Sequence, residues 1–201
     1  MSSREDRTAK LAADRGRVAP VKLAHIVRRT SRFEEMVRWY QLVLAAQTVH
    51  SDGMLAFLTY DDEHHRIAIA AIPGLPDQPS MAAGTDHVAF THADLGDLLY
   101  TYVRLKPEGI APYWCINHGP TTSMYYKDPD GSRIELQVDN FPTAEACNRW
   151  MRSGQFAQNP IGVVFDPEEL VARYRAGEPI ETLVERPPLP AGATPFDMLR
   201  F

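Results

Sequence analysis

The sequence predicts an α+β fold: two tandem βαβββ modules followed by a C-terminal tail of helical and extended segments. Three observations lead there. Each half of the first 142 residues reads as strand, helix, strand, strand, strand. The first strands echo each other, Ala24-His25-Ile26-Val27 against Asp86-His87-Val88-Ala89. The closing hairpins do too, Tyr60-Asp61 through Arg66-Ile67-Ala68 against Lys127-Asp128 through Arg133-Ile134-Glu135.

Residues 1–19 are charged and small and are expected to form a flexible arm. Residues 20–142 hold the module pair, 20–73 and 85–142. The apolar run over 21–27, interrupted by His25, predicts the first strand. Ser31 is expected to cap the first helix with Glu34 at the capping-box position, because Phe33, Met36, Val37, Tyr40 and Leu44 recur at helical spacing. Strands are expected near 48–50, 55–60 and 66–72, and Pro73, Gly74, Pro76 and Pro79 mark a linker. The order then repeats: a strand over 86–90 carrying His87, and a helix over 94–105 with Leu95, Leu98, Leu99 and Tyr102 on one face. Strands near 111–116, 122–127 and 132–138 complete it. In the tail, 143–201, a helix is expected to about residue 152. A second starts at Asp166, with Asp166 as cap and Pro167 in the first turn. The end holds Pro187, Pro188, Pro190 and Pro195 and reads as extended. Phe196, Leu199 and Phe201 suggest that it packs onto the body.

The chain has 201 residues and a net charge of −5 with both signs interspersed, so no basic stripe points to nucleic acid. No apolar run reaches the length of a membrane span. The N-terminus is too polar and mixed in charge for a signal peptide, and the two cysteines, Cys115 and Cys147, are too isolated for a disulfide scaffold or a zinc site. A reducing cytoplasm is the expected setting.

His25, His87 and Glu135 are each a polar residue in an apolar strand. One alone has an ordinary explanation, a hydrogen-bonded core side chain. Together they are harder to explain that way, because the histidines occupy equivalent places in two repeats and Glu135 closes the second. Two imidazoles and one carboxylate form the ligand set of facial-triad non-haem Fe(II) oxygenases. Mn(II) suits the set nearly as well, and ligand identity alone leaves zinc open. The run from residue 116 to 135 adds His118, Tyr125 and the Asp128-Pro129-Asp130-Gly131 turn, in which glycine supplies a positive φ. Outside any wider context His64 and His65 read as solvated turn residues, Tyr125 as core or rim, and His50 and His92 as surface.

This pattern resembles the vicinal-oxygen-chelate superfamily and, within it, the one-domain type I extradiol ring-cleavage dioxygenases. The residues that carry the resemblance are His118, a short spacer, Met124-Tyr125, the Asp128-Pro129 turn with Gly131, and Glu135. It covers about residues 20 to 140. It implies a single incomplete barrel that encloses a metal, with His25, His87 and Glu135 as ligands of Fe(II), or Mn(II). It also implies a catalytic histidine in the His64-His65 pair, where His65 is the better match, and His118 and Tyr125 along the substrate. Two departures stand: there is room for only one module pair, and the spacer after His118 is short.

The activity so implied is extradiol cleavage of a catechol-type diol by dioxygen, in a homo-oligomer, with no nucleic-acid or membrane partner. His65 would shuttle a proton, as a near-neutral imidazole can. His118 and Tyr125 would hydrogen-bond the substrate oxygens. Tyr113, Trp114 and Phe141 could line the ring. The alternatives are a glyoxalase- or epimerase-like lyase or isomerase, and a non-redox binding protein of resistance type. Ala68, where the first repeat could offer a second carboxylate, argues against the lyase or isomerase. Retention of all three ligand types argues against the binding protein.

Overall fold

The computed structural model describes residues 16–79 and 83–200. Most of the expected arm, residues 1–15, and Phe201 lie outside them. The first module runs β1 (Ile26–Thr30), α1 (Phe33–Leu44), β2 (Gln47–Ser51), β3 (Leu55–Thr59) and β4 (Ile67–Ala71). The second runs β5 (His87–Thr91), α2 (Leu95–Leu105), β6 (Trp114–Asn117), β7 (Thr121–Lys127) and β8 (Arg133–Asp139). The tail holds α3 (Ala144–Arg152), α4 (Gln155–Gln158), β9 (Val163–Val164), α5 (Pro167–Arg175) and α6 (Ile180–Val184).

Each module makes its own sheet, ordered β1-β4-β3-β2 in the first and β5-β8-β7-β6 in the second, where β9 adds a fifth strand beside β6. In both, the first and last strands of the module pair in parallel. Their registers agree: Val27 lies opposite Ala68, and Ala89 opposite Glu135. The structure thus places Ala68 where the repeat equates it with Glu135.

Strand alternation divides the second sheet into two faces. Ile134, Leu136 and Val138 of β8, with Met124 and Tyr126 of β7, join Leu95, Leu98, Leu99 and Tyr102 of α2 in the main core. The opposite face carries His87, Glu135 and Tyr125. There Ile116 and Tyr125 pack with Val163 and Met198 from the tail. Burying the apolar face against α1 and α2 therefore directs the polar residues of β5, β7 and β8 to the other side.

Three local expectations change. The strand expected over 21–27 begins only at Ile26. Arg66 donates to the carbonyls of Leu23 and Ala24, at 2.6 and 3.0 Å, and so takes the acceptors a strand partner would use. Ser31 does not cap α1, whose N-cap is Arg32 without a side-chain bond. The Ser31 hydroxyl donates instead to the Leu75 carbonyl of the proline linker, and Thr30 Oγ1 accepts the Arg32 N–H. The proline-rich end is not all extended. Pro195–Met198 form a 3₁₀ turn closed by Thr194 and Asp197. Phe196 is 74% exposed, and Met198 is the residue that docks. Asp166 caps α5 as expected, and Asp94 and Thr143 cap α2 and α3. Among the described residues no helix is long and apolar enough to cross a membrane.

Candidate active site

The site is built on the polar face of the second sheet. His87 opens β5 and Glu135 stands in the middle of β8, on the same face, with Nε2 and Oε2 3.0 Å apart. On its other side His87 Nδ1 lies 2.7 Å from Asp86 Oδ2. Held between two carboxylates, His87 is pushed up to about 9: the Glu135 hydrogen bond raises it most, burial opposes, and Asp86 adds to the rise. Glu135 is 5% exposed. Burial alone would raise its carboxyl, but hydrogen bonds from His87 and Ser123 and the field of His118 outweigh that and hold it below the usual range.

Tyr125 is the cross-strand neighbour of Glu135. Its ring meets His87 edge-on at 5.2 Å and stacks on Trp114 at 4.6 Å. Burial, and then the charge of Glu135, drives the phenol far above its ordinary range, so it stays protonated. His118 follows β6 and sets Nε2 3.0 Å from the Tyr125 hydroxyl. Its Nδ1 faces the carbonyl of Ile161 in the tail. Burial lowers its pKa, and the Ile161 carbonyl works the other way. The second half of the predicted set is therefore one contiguous cluster.

His25 and His65 form a second cluster on the first sheet. His25 precedes β1 and is exposed. Its ring lies 4.4 Å from that of His65, which stacks on Phe57 at 4.7 Å. His65 is lowered by burial and then by the neighbouring His25 and His64. His64 sets its Nδ1 2.6 Å from that of His65, but its side chain is 70% exposed. His65 is thus the packed member of the pair. The two clusters approach where β1 enters: His25 lines a cavity of about 130 Å³ with Ala89 and Phe90 of β5.

The donors can be tested against a divalent metal. Ligands at right angles on one ion, each bonded at about 2.1 Å, stand about 3 Å apart. The His87–Glu135 separation matches that, and the chemistry of the set, imidazole nitrogen and carboxylate oxygen, suits Fe(II) or Mn(II). His25 stands with His65, and the described residues contain no group of three His, Cys, Asp or Glu placed to hold an ion. His87 and Glu135 are the convergent pair, with His25 at the neighbouring strand entry.

Of the expected ring wall, Trp114 underlies Tyr125 and Tyr113 lies 6.4 Å from it. Phe141 does not contribute to that wall. It meets Trp150 at 5.6 Å beside a separate cavity of about 730 Å³, which Arg186 also lines. Phe141 leaves the sheet face as the chain turns into α3. His50 is exposed, as expected. His92 is half-buried, and its Nε2 is enclosed without a hydrogen-bond partner.

Sequence reasoning missed Asp86, Ser123 and the Ile161 carbonyl. Asp86 could have been found, since an acid directly before a candidate ligand histidine suggests an outer partner. A backbone carbonyl leaves no such trace.

A sequence profile described as the Glyoxalase/Bleomycin resistance protein/Dioxygenase superfamily matches residues 22–136. The chain is 45% identical to biphenyl-2,3-diol 1,2-dioxygenase 2 of Rhodococcus globerulus, over 82% of this chain and 87% of the relative. It is 42% identical to biphenyl-2,3-diol 1,2-dioxygenase 3 of the same organism, over 82% and 88%. Among solved structures, a fosfomycin resistance protein of Listeria monocytogenes, complexed with Mn(II) and sulfate, shares the fold. Its TM-score is 0.52 at 18% identity, covering 66% of this chain and 99% of that one. On the profile match and the two relatives, the chain belongs to the Glyoxalase/Bleomycin resistance protein/Dioxygenase superfamily.

Proposed function

We propose that the protein is an extradiol dioxygenase that opens the aromatic ring of a catechol-type diol beside its two hydroxyls and places both atoms of dioxygen in the product. The observation that carries this reading is the Glu135–His87 pair, at 3.0 Å, with a protonated phenol and an imidazole beside it. The two curated relatives named biphenyl-2,3-diol 1,2-dioxygenases support it. The catalytic unit is residues 20–142.

His87 and Glu135, the convergent pair, would hold Fe(II), with His25, which stands beside His65 here and would have to approach them, as the third ligand; the ion supplies the redox capacity that ring cleavage needs, and Mn(II) could replace it. This chain's own residues do the rest. Tyr125, kept protonated by burial, donates a hydrogen bond to a substrate oxygen and steadies charge developing there. Without substrate the phenol proton points to His118 Nε2, so binding of the diol exchanges one acceptor for the other. His65, whose pKa is lowered by burial and by its histidine neighbours, takes a proton from the diol and returns it later. Trp114 and Tyr113 shield the ring from water.

The register of the parallel pairs weighs against a lyase or isomerase. Ala68 takes the place of Glu135 in the first sheet, so the first module offers no carboxylate there. The test is to load metal-free protein with Fe(II) anaerobically, add catechols with biphenyl-2,3-diol first, admit air, and record oxygen uptake and the yellow ring-opened product. No uptake with any diol, together with isomerase activity on the zinc form, would overturn the reading.

A further inference from the structure

The tail does more than cover the second sheet. His118 Nδ1 faces the Ile161 carbonyl, and the His118 carbonyl accepts from Arg186 Nη1 at 3.2 Å. The same Nη1 donates to the Asn159 carbonyl at 2.7 Å, and Nη2 donates to that of Gln155 at 3.1 Å. The guanidinium sits 5.0 Å from the Trp150 ring centre. All three acceptors are main-chain carbonyls, so Arg186 pins backbone to backbone across the 155–161 loop and the turn after β6. A lysine, with a single nitrogen, cannot reproduce that fork.

The loop is drawn tight on its own account. The Asn159 side chain accepts from the amides of Ile161 and Gly162 and donates to the Gly162 carbonyl. Gly162 has φ +120°, and a Cβ there would fall 2.4 Å from the Asn117 carbonyl oxygen. The chain thus passes in backbone contact with the end of β6, one residue after the carbonyl that meets His118.

A carbonyl oxygen only accepts. The proton of neutral His118 must therefore be on Nδ1, leaving Nε2 bare. Nε2 lies 3.0 Å from the Tyr125 oxygen, so within that pair only the phenol can donate, with Glu135 as the competing acceptor for its proton. We propose that Arg186 is a positioning residue. By holding the 155–161 loop against the His118 turn, it keeps the Ile161 carbonyl on Nδ1, fixes His118 in the Nδ1–H tautomer, and aims Nε2 at Tyr125 and the bound diol. Its effect on turnover rests on the dioxygenase reading; the tautomer does not.

The test uses full-length, metal-free protein labelled with ¹⁵N-histidine. Long-range ¹H–¹⁵N correlations report which ring nitrogen carries the proton, and the His118 signals are identified by their loss in His118→Gln. The wild type should show a single Nδ1–H tautomer. Arg186→Gln should show a mixture. In the iron-loaded enzyme it should lower kcat by about tenfold, the scale of losing an orienting partner, with a smaller change in KM. Arg186→Lys should recover part of both; it also serves if the Gln variant does not fold. An Nε2–H tautomer in the wild type, or an unchanged tautomer and kcat in Arg186→Lys and Arg186→Gln, would overturn the proposal. If the wild type takes up no oxygen with any diol, the dioxygenase reading fails, and the tautomer response to Arg186 alone decides the positioning claim.

Discussion

Arg28 on β1 donates from Nη2 to Oδ2 of Asp128 at 2.8 Å, across 100 residues of chain. The Asp128 side chain is fully buried, and it also accepts from the Tyr40 hydroxyl and the amides of Asp130 and Ser132. It therefore organises the turn that returns the chain to Glu135, while Arg28 ties that turn to the strand following His25. The two modules, and with them the two clusters of site residues, are aligned through this contact.

Removing Arg28 leaves a buried carboxylate without its cation. Breaking a fully buried pair costs about 3–5 kcal/mol, and the partial exposure of Arg28 brings the expected loss below that range, to about 2–3 kcal/mol, for Arg28→Met. The sign of the pH dependence follows. Burial already raises the Asp128 pKa against the pull of Arg28, and without Arg28 it rises further. An acid whose folded-state pKa is raised binds its proton more tightly in the folded state, so acidification relieves the penalty. The stability difference between wild type and variant should be smaller at pH 5 than at pH 8, as read by urea unfolding at both.

A second expectation concerns the metal-free site. His87 should remain an imidazolium up to about pH 9, because Glu135 and Asp86 favour the charged form. A histidine with a raised folded-state pKa contributes stability that is complete below its unfolded value and lost as pH rises through the folded one. In Glu135→Gln the largest cause is gone, and the midpoint should fall toward the ordinary value of about 6.5. An NMR titration of His87 in both proteins measures the shift. Metal analysis of the loaded proteins should show that the variant no longer retains iron.

Which parts of this arrangement were legible in the sequence depends on the kind of interaction. The repeat was legible because each strand pair buries one face. That imposes the same alternation twice, and the equivalence of Ala68 and Glu135 follows from it. The start of β1 and the role of Ser31 were not, because each is decided by competition for a carbonyl or hydroxyl from residues tens of positions away. Strand β9 has only two residues, too few for any periodicity. The meeting of Ile161 with His118 uses a backbone carbonyl, which every residue has.

The two thiols should differ sharply in reactivity. Cys115 is buried in the main core, and its thiol is pushed up to about 12, first by burial and then by Asp166. Cys147 on α3 is only partly buried; burial, and then Asp139, raise its thiol as well. The thiolate is the reactive form, so an alkylating reagent at pH 8 should modify Cys147 in native protein and reach Cys115 only after unfolding. Peptide mass spectrometry before and after denaturant checks this. Native labelling of Cys115 at a comparable rate would mean that the α2 side of the core opens readily.

His65 offers the cleanest separation of proton transfer from structure. Its ring already packs against the rings of Phe57 and His25, so a phenyl ring can keep those ring contacts, losing only the exposed contact with His64 Nδ1 and the ionisable nitrogens. His65→Phe should therefore keep its melting temperature and its iron, and lose turnover by about 100-fold, the usual contribution of a positioned acid–base group. Its kcat should also lose whatever pH dependence a single imidazole gives the wild type. Measuring iron content, melting temperature and the kcat–pH profile on one preparation distinguishes the outcomes. A variant that keeps full turnover would assign the proton transfer to another group. One that loses iron would place His65 itself at the metal.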